Sequence, residues 1–179
     1  YGGRAVARVN AKGSGEEISV AEGGALAYLV NDTTAEVKPI ETADLRIGAP
    51  VGLQALGGGQ AVSGVGPTGL TVVNPVDGQA SALPLVGEPL NFGVDVTSPP
   101  VIDPDGVVWT IDGSVLRRTN STSSTDVDLG LGDGATVTLV GNEPFVVDRA
   151  NRRARLDDGA WQRLDTAADP TEIVGQVTG

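Results

Sequence analysis

The sequence predicts an all-β fold, and three observations predict it. Helix signals are nearly missing, because 26 Gly and 11 Pro are scattered through 179 residues and would break any helix early. Short apolar or alternating runs recur along the whole chain, each ended by turn residues. Asp-Gly pairs supply many of those turns: Asp77-Gly78, Asp105-Gly106, Asp112-Gly113, Asp133-Gly134 and Asp158-Gly159. Asp-Gly tolerates the positive φ angles of tight hairpins.

In chain order, the first expected unit covers residues 17–50. A strand at 17–22 leads into the apolar run 25–30 (ALAYLV). A turn at Asn31-Asp32 follows, then a more polar strand at 35–40 and a short one at 45–47. The second unit covers 51–90, with strands at 51–56, 60–65, 69–74 and 80–85 and a central turn at Gly66-Pro67-Thr68. The third covers 99–131, with strands at 100–103, 106–112, 114–120 and 125–129. The fourth covers 135–165, with strands at 136–140, 143–148, 152–157 and 161–164. The central hairpins start at Ala25, Gln60, Gly106 and Glu143, about 40 residues apart, which is the period of propeller blades.

Radial repetition of small sheets also protects many short strand edges. The expected fold is therefore a β-propeller of about four to five four-stranded blades, in one domain spanning residues 1–179. The runs at 1–10 and 170–179 are left over. They are expected to share a further blade closed by the N-terminal strand, or the chain is an arc of a larger ring. Small residues (Ala27, Ala61, Ser63 and Gly64) are expected near the crowded axis. The alternative is a β-sandwich, whose strands also recur every ~8–12 residues. Hairpins of matched polarity at one period favour the propeller.

Three stretches carry a resemblance. They are GALAYLVNDTTAEVKPIETADLRIGAPVGL, DGVVWTIDGSVLRRTN and VGNEPFVVDRANRRARLDDGAWQRLD. They resemble degenerate propeller repeats of large, mostly actinobacterial cell-envelope proteins that also carry Ig-like or fibronectin type III-like modules. The shared pattern is a V-(W/V)-x-(V/I)-D strand, a turn, and an x-V-x-R-(V/L) strand. Val107 to Asp112 with Ser114 to Arg118, and Phe145 to Asp148 with Arg153 to Leu156, carry it here. The second unit departs from it, with Ser63-Gly64 where bulky residues are expected. The resemblance implies an extracellular or cell-surface fragment of a larger anchored protein, non-enzymatic, serving as a binding or scaffold module.

Composition narrows the chemistry. There are 12 basic and 23 acidic side chains, for a net charge of -11, which argues against nucleic acid and against anionic membrane surfaces. No Cys and no His are present, which removes thiol nucleophiles, His general bases, zinc fingers and disulfide frameworks. No run reaches the ~18 apolar residues of a membrane span. A chain that begins at Tyr1 and contains no Met is expected to be a processed or excised piece.

The remaining motifs have bland readings beside sharper ones. Gly64 to Gly69 matches G-x-G-x-x-G, but Pro67 lies inside it and a strand follows, so it reads as a hairpin turn and not as a dinucleotide site. Calcium is the one cofactor left open, at Asp103, Asp105 and Asp112 or at Asp126, Asp128 and Asp133. Asp is also the ordinary turn residue there. Asn31-Asp32-Thr33 and Asn120-Ser121-Thr122 are formal glycosylation acceptors. The clearest charge feature is an Arg cluster, Arg149, Arg152, Arg153 and Arg155, extended by Arg117 and Arg118 of the preceding unit. Arg forks suit carboxylates and phosphates, so this is the candidate anionic-ligand patch.

The function expected is a non-enzymatic envelope module that recognises a protein or an anionic polymer through its loops. The alternatives are a propeller enzyme using carboxylate or metal-assisted glycan hydrolysis or lysis, and a sandwich-type adhesin stalk.

Overall fold

The computed structural model describes residues 7–10, 16–58 and 60–164. Every regular element among them is a strand. The first sheet holds β1 (Ala7–Asn10), β2 (Glu17–Gly23), β3 (Leu26–Asn31), β4 (Glu36–Glu41), β5 (Arg46–Ile47) and β6 (Val51–Gly52). The second holds β7 (Val62–Gly66), β8 (Gly69–Val73), β9 (Gln79–Pro84) and β10 (Leu90–Gly93). The third holds β11 (Val101–Ile102), β12 (Val108–Asp112), β13 (Val115–Thr119) and β14 (Ser124–Asp128). The fourth holds β15 (Thr136–Val140), β16 (Glu143–Asp148), β17 (Arg153–Leu156) and β18 (Gln162–Arg163).

Each sheet is an antiparallel meander in which consecutive strands are neighbours, except that β6 pairs with β4 instead of β5. Successive sheets touch at β2 with β7, β7 with β11, and β11 with β15. Among the described strands no comparable contact joins the fourth sheet to the first. The result is a fan of four sheets around a shared inner edge. Two sheets laid face to face, as in a sandwich, are not what the strand order gives.

Local chemistry explains the hairpins. One strand of every sheet, β3, β8, β12 and β16, runs to an apolar residue followed by Asn or Asp: Val30-Asn31, Val73-Asn74, Ile111-Asp112 and Val147-Asp148. In three of them the Asx carboxyl or amide oxygen accepts backbone N–H groups of the turn. Asn31 Oδ1 accepts from Thr33 and Thr34 at 3.1 Å each. Asn74 Oδ1 accepts from Val76 at 2.9 Å, and Asp148 Oδ1 from Asn151 at 3.1 Å. Such bonds satisfy donors that a turn would otherwise leave unpaired.

The cores lie between sheets, not within them. Tyr28, Val30 and Val37 of the first sheet pack against Val65, Leu70 and Val72 of the second. Val73 and Ala80 of the second pack against Val108 of the third. Ile111 and Leu116 of the third pack against Val137 and Val146 of the fourth. Each such aliphatic side chain contributes roughly 1.5–3 kcal/mol on burial, so the inter-sheet faces hold the fan together.

Glycine permits the close approach of the inner strands. A Cβ at Gly23 would fall 2.2 Å from the carbonyl oxygen of Val65, and one at Gly66 only 1.4 Å from that of Pro104. Gly64 meets Ile102 in the same way, at 2.6 Å, so it holds the crowded position expected of it. Ala27 does not. It lies on β3 facing away from the second sheet, opposite to Tyr28 and Val30.

The second unit is the one whose strands are displaced from the sequence reading. Val51–Gly52 pairs with β4 at Val37 and Glu36, so it closes the outer edge of the first sheet. The following residues Leu53, Ala55 and Leu56 are buried as a wedge in the first core. Val62–Gly66, expected as a second strand, is the innermost one. Ala7–Asn10 pairs with β2, and the run at 170–179, expected to share a blade with it, lies outside the described residues.

Candidate functional site

Two clefts open on the end of the fan that carries the β2–β3, β7–β8 and β11–β12 turns. The first, of about 380 Å³, lies between the first and second sheets. Gly23, Ala25 and Leu26 of the β2–β3 turn form one wall, with Val65 and Pro67 of the β7–β8 turn, Leu85 and Pro104 around it. The second, of about 260 Å³, lies between the second and third sheets. Its walls include Leu70, Pro84 and Leu90 on one side and Asp105, Asn120 and Thr122 on the other. Asp105 is the one charged side chain in either lining.

The β9–β10 loop and the first residue of β10 separate the two clefts and expose three aliphatic side chains beside Glu88. Leu85 is 55% exposed, Val86 91% and Leu90 48%. Leu85 faces the first cleft and Leu90 the second. Three exposed aliphatic residues therefore lie together beside the two clefts. The sequence reading missed it. The signal was present in Leu85-Val86-Gly87-Glu88-Pro89-Leu90, an apolar pair inside a Gly/Pro turn.

The Arg patch is distributed differently. Arg117 and Arg118 are adjacent on β13 and point to opposite faces of it. Arg117 Nε donates to Asp126 Oδ1 at 2.7 Å, with Asp95 and Asp112 also beside the guanidinium. The hydrogen bond to Asp126 and the surrounding charges hold Arg117 above its ordinary pKa, and Arg117 in turn holds the Asp126 carboxyl below its own. Arg118 lies over the Trp109 ring, 5.7 Å from its centroid. Arg153 bonds to Asp148, to the carbonyls of Leu129 and Gly130, and stacks 4.1 Å from the Trp161 centroid. Arg155 donates to the Asp157 carbonyl and faces the same ring. Arg149 and Arg152 sit exposed in the β16–β17 turn and make no ion pair among the described residues. The structure thus joins Arg153 and Arg155 through Trp161, a residue the sequence reading did not connect with them.

Of the candidate calcium positions, Asp103 and Asp128 are engaged in turns and Asp126 is paired with Arg117. Asp103 Oδ1 accepts from the backbone of Asp105 at 2.9 Å and Val107 at 3.0 Å, and Oδ2 from Trp109 Nε1 at 2.9 Å. Asp128 Oδ1 accepts from Gly130, and this bond with one from Ser114 holds the carboxyl below its ordinary pKa. Among the described residues no three Asp or Glu converge as a metal site. Gly64 to Gly69 forms the β7–β8 hairpin, with no helix after it.

Solved structures with this arrangement include virginiamycin B lyase from Staphylococcus aureus. It is 14% identical, with a TM-score of 0.57, over 88% of this chain and 58% of that one. A streptogramin B lyase structure is 16% identical, with a TM-score of 0.55, over 88% of this chain and 57% of that one. The fold is a β-propeller. The described sheets agree with the four to five blades expected. The chain spans less than two thirds of the length of either lyase.

No protein-family model and no curated protein matches the chain. The structural likeness supports the propeller half of the sequence resemblance and gives no support to the Ig-like or fibronectin type III-like companions. It also corrects the expectation of a non-enzymatic chain. By their names both neighbours are enzymes, so this propeller architecture is one on which catalysis occurs. At these identities the likeness extends to the fold and not to the chemistry.

Proposed function

We propose that the chain is a recognition segment of a propeller, holding an extended apolar and basic peptide of a partner protein across the hairpin end. The exposed Leu85, Val86 and Leu90 between two clefts carry this reading. An extended peptide presents alternate side chains about 7 Å apart, and aliphatic ones suit the two apolar hollows on either side of the loop. A basic peptide suits an acidic protein of net charge -11 whose cleft carries Asp105 and whose loop carries Glu88. The same charge disfavours an anionic polymer. On the resemblance to envelope repeats, the encounter takes place at the cell surface.

Panning a random extended-peptide library on the intact chain tests this. The expected result is enrichment of apolar peptides with Lys or Arg, and about ten-fold weaker binding to Leu85→Asp and Leu90→Asp, the cost of removing one good apolar contact. No enrichment, or enriched peptides indifferent to both substitutions, would overturn the reading.

A second reading is lysis, favoured by the two neighbours' names. The chain has no His and no Cys, and carboxylates are the most abundant groups it offers for such chemistry. Incubation of virginiamycin B with a catalytic amount of the chain, followed by chromatography, decides it: unchanged substrate removes the reading.

A further inference from the structure

Five Asp-Gly pairs lie at turns of this chain, and the fold treats one of them differently. An Asp-Gly step is open to a reaction that needs no cofactor. The glycine amide nitrogen attacks the side-chain carboxyl carbon of the aspartate. A C–N bond forms, and the carboxyl hydroxyl departs with the amide proton as water. Water then reopens the succinimide ring. Opening at the side-chain carbonyl restores aspartate. Opening at the backbone carbonyl leaves the chain running through Cβ and Cγ, as isoaspartate. Glycine favours the attack because no side chain shields its nitrogen and its backbone turns freely. A fold opposes it by holding the N–H in a hydrogen bond or by fixing the aspartate.

Four pairs are held in this way. Gly78 N donates to Asn74 O at 3.0 Å, and the Asp77 carboxylate accepts from Gln79 N at 3.0 Å. Gly106 N donates to Asp103 O at 2.9 Å, and Gly159 N to Leu156 O at 3.0 Å. Asp112 ends β12 in register with Val115, and its carboxylate lies 3.6 Å from Arg117. Asp133-Gly134 has none of these restraints. Both residues are exposed in the connection between β14 and β15. Neither the Asp133 carboxylate nor the Gly134 N–H has a partner among the described residues. A Cβ at Gly134 would meet nothing within 4 Å. A long bond from Ala135 N to Gly132 O, 3.3 Å, spans the turn.

We propose that Asp133 is a site of spontaneous isomerisation, and that its conversion to isoaspartate loosens the contact between the third and fourth sheets. The site is exposed but its flanks are anchored. Leu131 and Ala135 are each 8% exposed and belong to the core that these two sheets share. Gly132 N donates to Asp148 Oδ1 at 3.3 Å, and a Cβ on Gly132 would fall 2.5 Å from that of Ala150. Isoaspartate inserts an extra backbone carbon between Gly132 and Ala135. A packed core does not absorb an added methylene without displacement. Leu131 or Ala135 therefore shifts, or Gly132 leaves Asp148.

Ageing the intact chain for weeks at neutral pH in heavy-oxygen water tests this, with folded and guanidinium-unfolded samples side by side. Each passage through the ring takes up an oxygen from solvent. Proteolysis and electron-transfer fragmentation then locate label and isoaspartate at each Asp-Gly pair. In the unfolded chain all five pairs should convert at similar rates. In the folded chain the other four should slow by at least about ten-fold, because they react only on local opening, while Asp133 stays within about two-fold of its unfolded rate. The Tm of the folded wild type should fall by a few degrees as isoaspartate accumulates. Asp133→Glu, whose longer side chain closes a ring far more slowly, should keep its Tm under the same treatment. An Asp133 as slow as the other four in the folded chain overturns the site. Conversion with an unchanged Tm, or an equal fall in Asp133→Glu, overturns the loosening.

Discussion

Arg153 reaches back across the turn of the fourth sheet and donates through Nε to Asp148 Oδ2 at 2.9 Å, with Asp148 wholly excluded from solvent. The two are register partners on β17 and β16. Asn151 and Gly132 bring further N–H groups to the same carboxylate. Burial alone would raise the Asp148 pKa, but these bonds outweigh it and hold the group below its ordinary value. A carboxylate with a depressed folded-state pKa adds stability above its unfolded pKa of about 4, and that stability is lost as pH falls through the folded value.

Asp148→Ala should therefore destabilise the chain by about 3 kcal/mol at pH 7, since it strands a guanidinium and turn N–H groups. Urea denaturation measures this. Asp148→Asn should show its deficit at pH 7 and a smaller one in strong acid, where the wild-type carboxyl is protonated. A deficit independent of pH would contradict the assignment.

Gly66 makes a sharper steric test. A methyl group there has no room, because Pro104 O lies 1.4 Å from the Cβ position. Gly66→Ala must move the inner strands of the second and third sheets apart, at a cost of about 3 kcal/mol or more. Gly134→Ala is the control. It has a φ of 74° but open space around it, so it should lose only about 1 kcal/mol. Equal losses at the two sites would mean that the close approach is not a constraint.

The same close approach explains what was legible in the sequence. The third and fourth sheets were readable strand by strand, because Val107 to Arg118 and Phe145 to Leu156 carry bulky apolar strands and Asp-terminated turns. The second sheet was misplaced by one strand. Its innermost strand, Val62–Gly66, is Gly-rich through contact with Ile102 and Pro104, and so lacks the apolar signature of an interior strand. Val73-Asn74 was the better marker. It aligns with Val30-Asn31, Ile111-Asp112 and Val147-Asp148, and would have set the phase. The clefts and the Arg153–Trp161 stacking were not legible, because they depend on how neighbouring sheets and strands face each other.

Thr110 departs from the repeat in a way that predicts a gain. Its hydroxyl is fully buried and has no hydrogen-bond partner among the described residues. Val72 and Val146 occupy the equivalent positions of the neighbouring sheets and are equally buried. Thr110→Val removes an unsatisfied polar atom without changing the shape. It should add about 1 kcal/mol and raise Tm by about 3 °C. A calorimetric scan showing a lower Tm would mean that the hydroxyl is satisfied in solution.

Leu45 offers a gain by a different route, through the backbone. It sits in the turn between β4 and β5 with a φ of 58° and is 76% exposed. A left-handed conformation costs a branched L-residue about 1–2 kcal/mol, and no burial compensates here. Leu45→Gly relieves the strain but frees the unfolded chain as well, whereas Leu45→Asn keeps a side chain that tolerates this region. Both should stabilise, Asn by about 1 kcal/mol and Gly by less. Chemical denaturation of the two variants side by side measures the difference. If neither exceeds the wild type, the turn does not hold Leu45 in the left-handed region in solution.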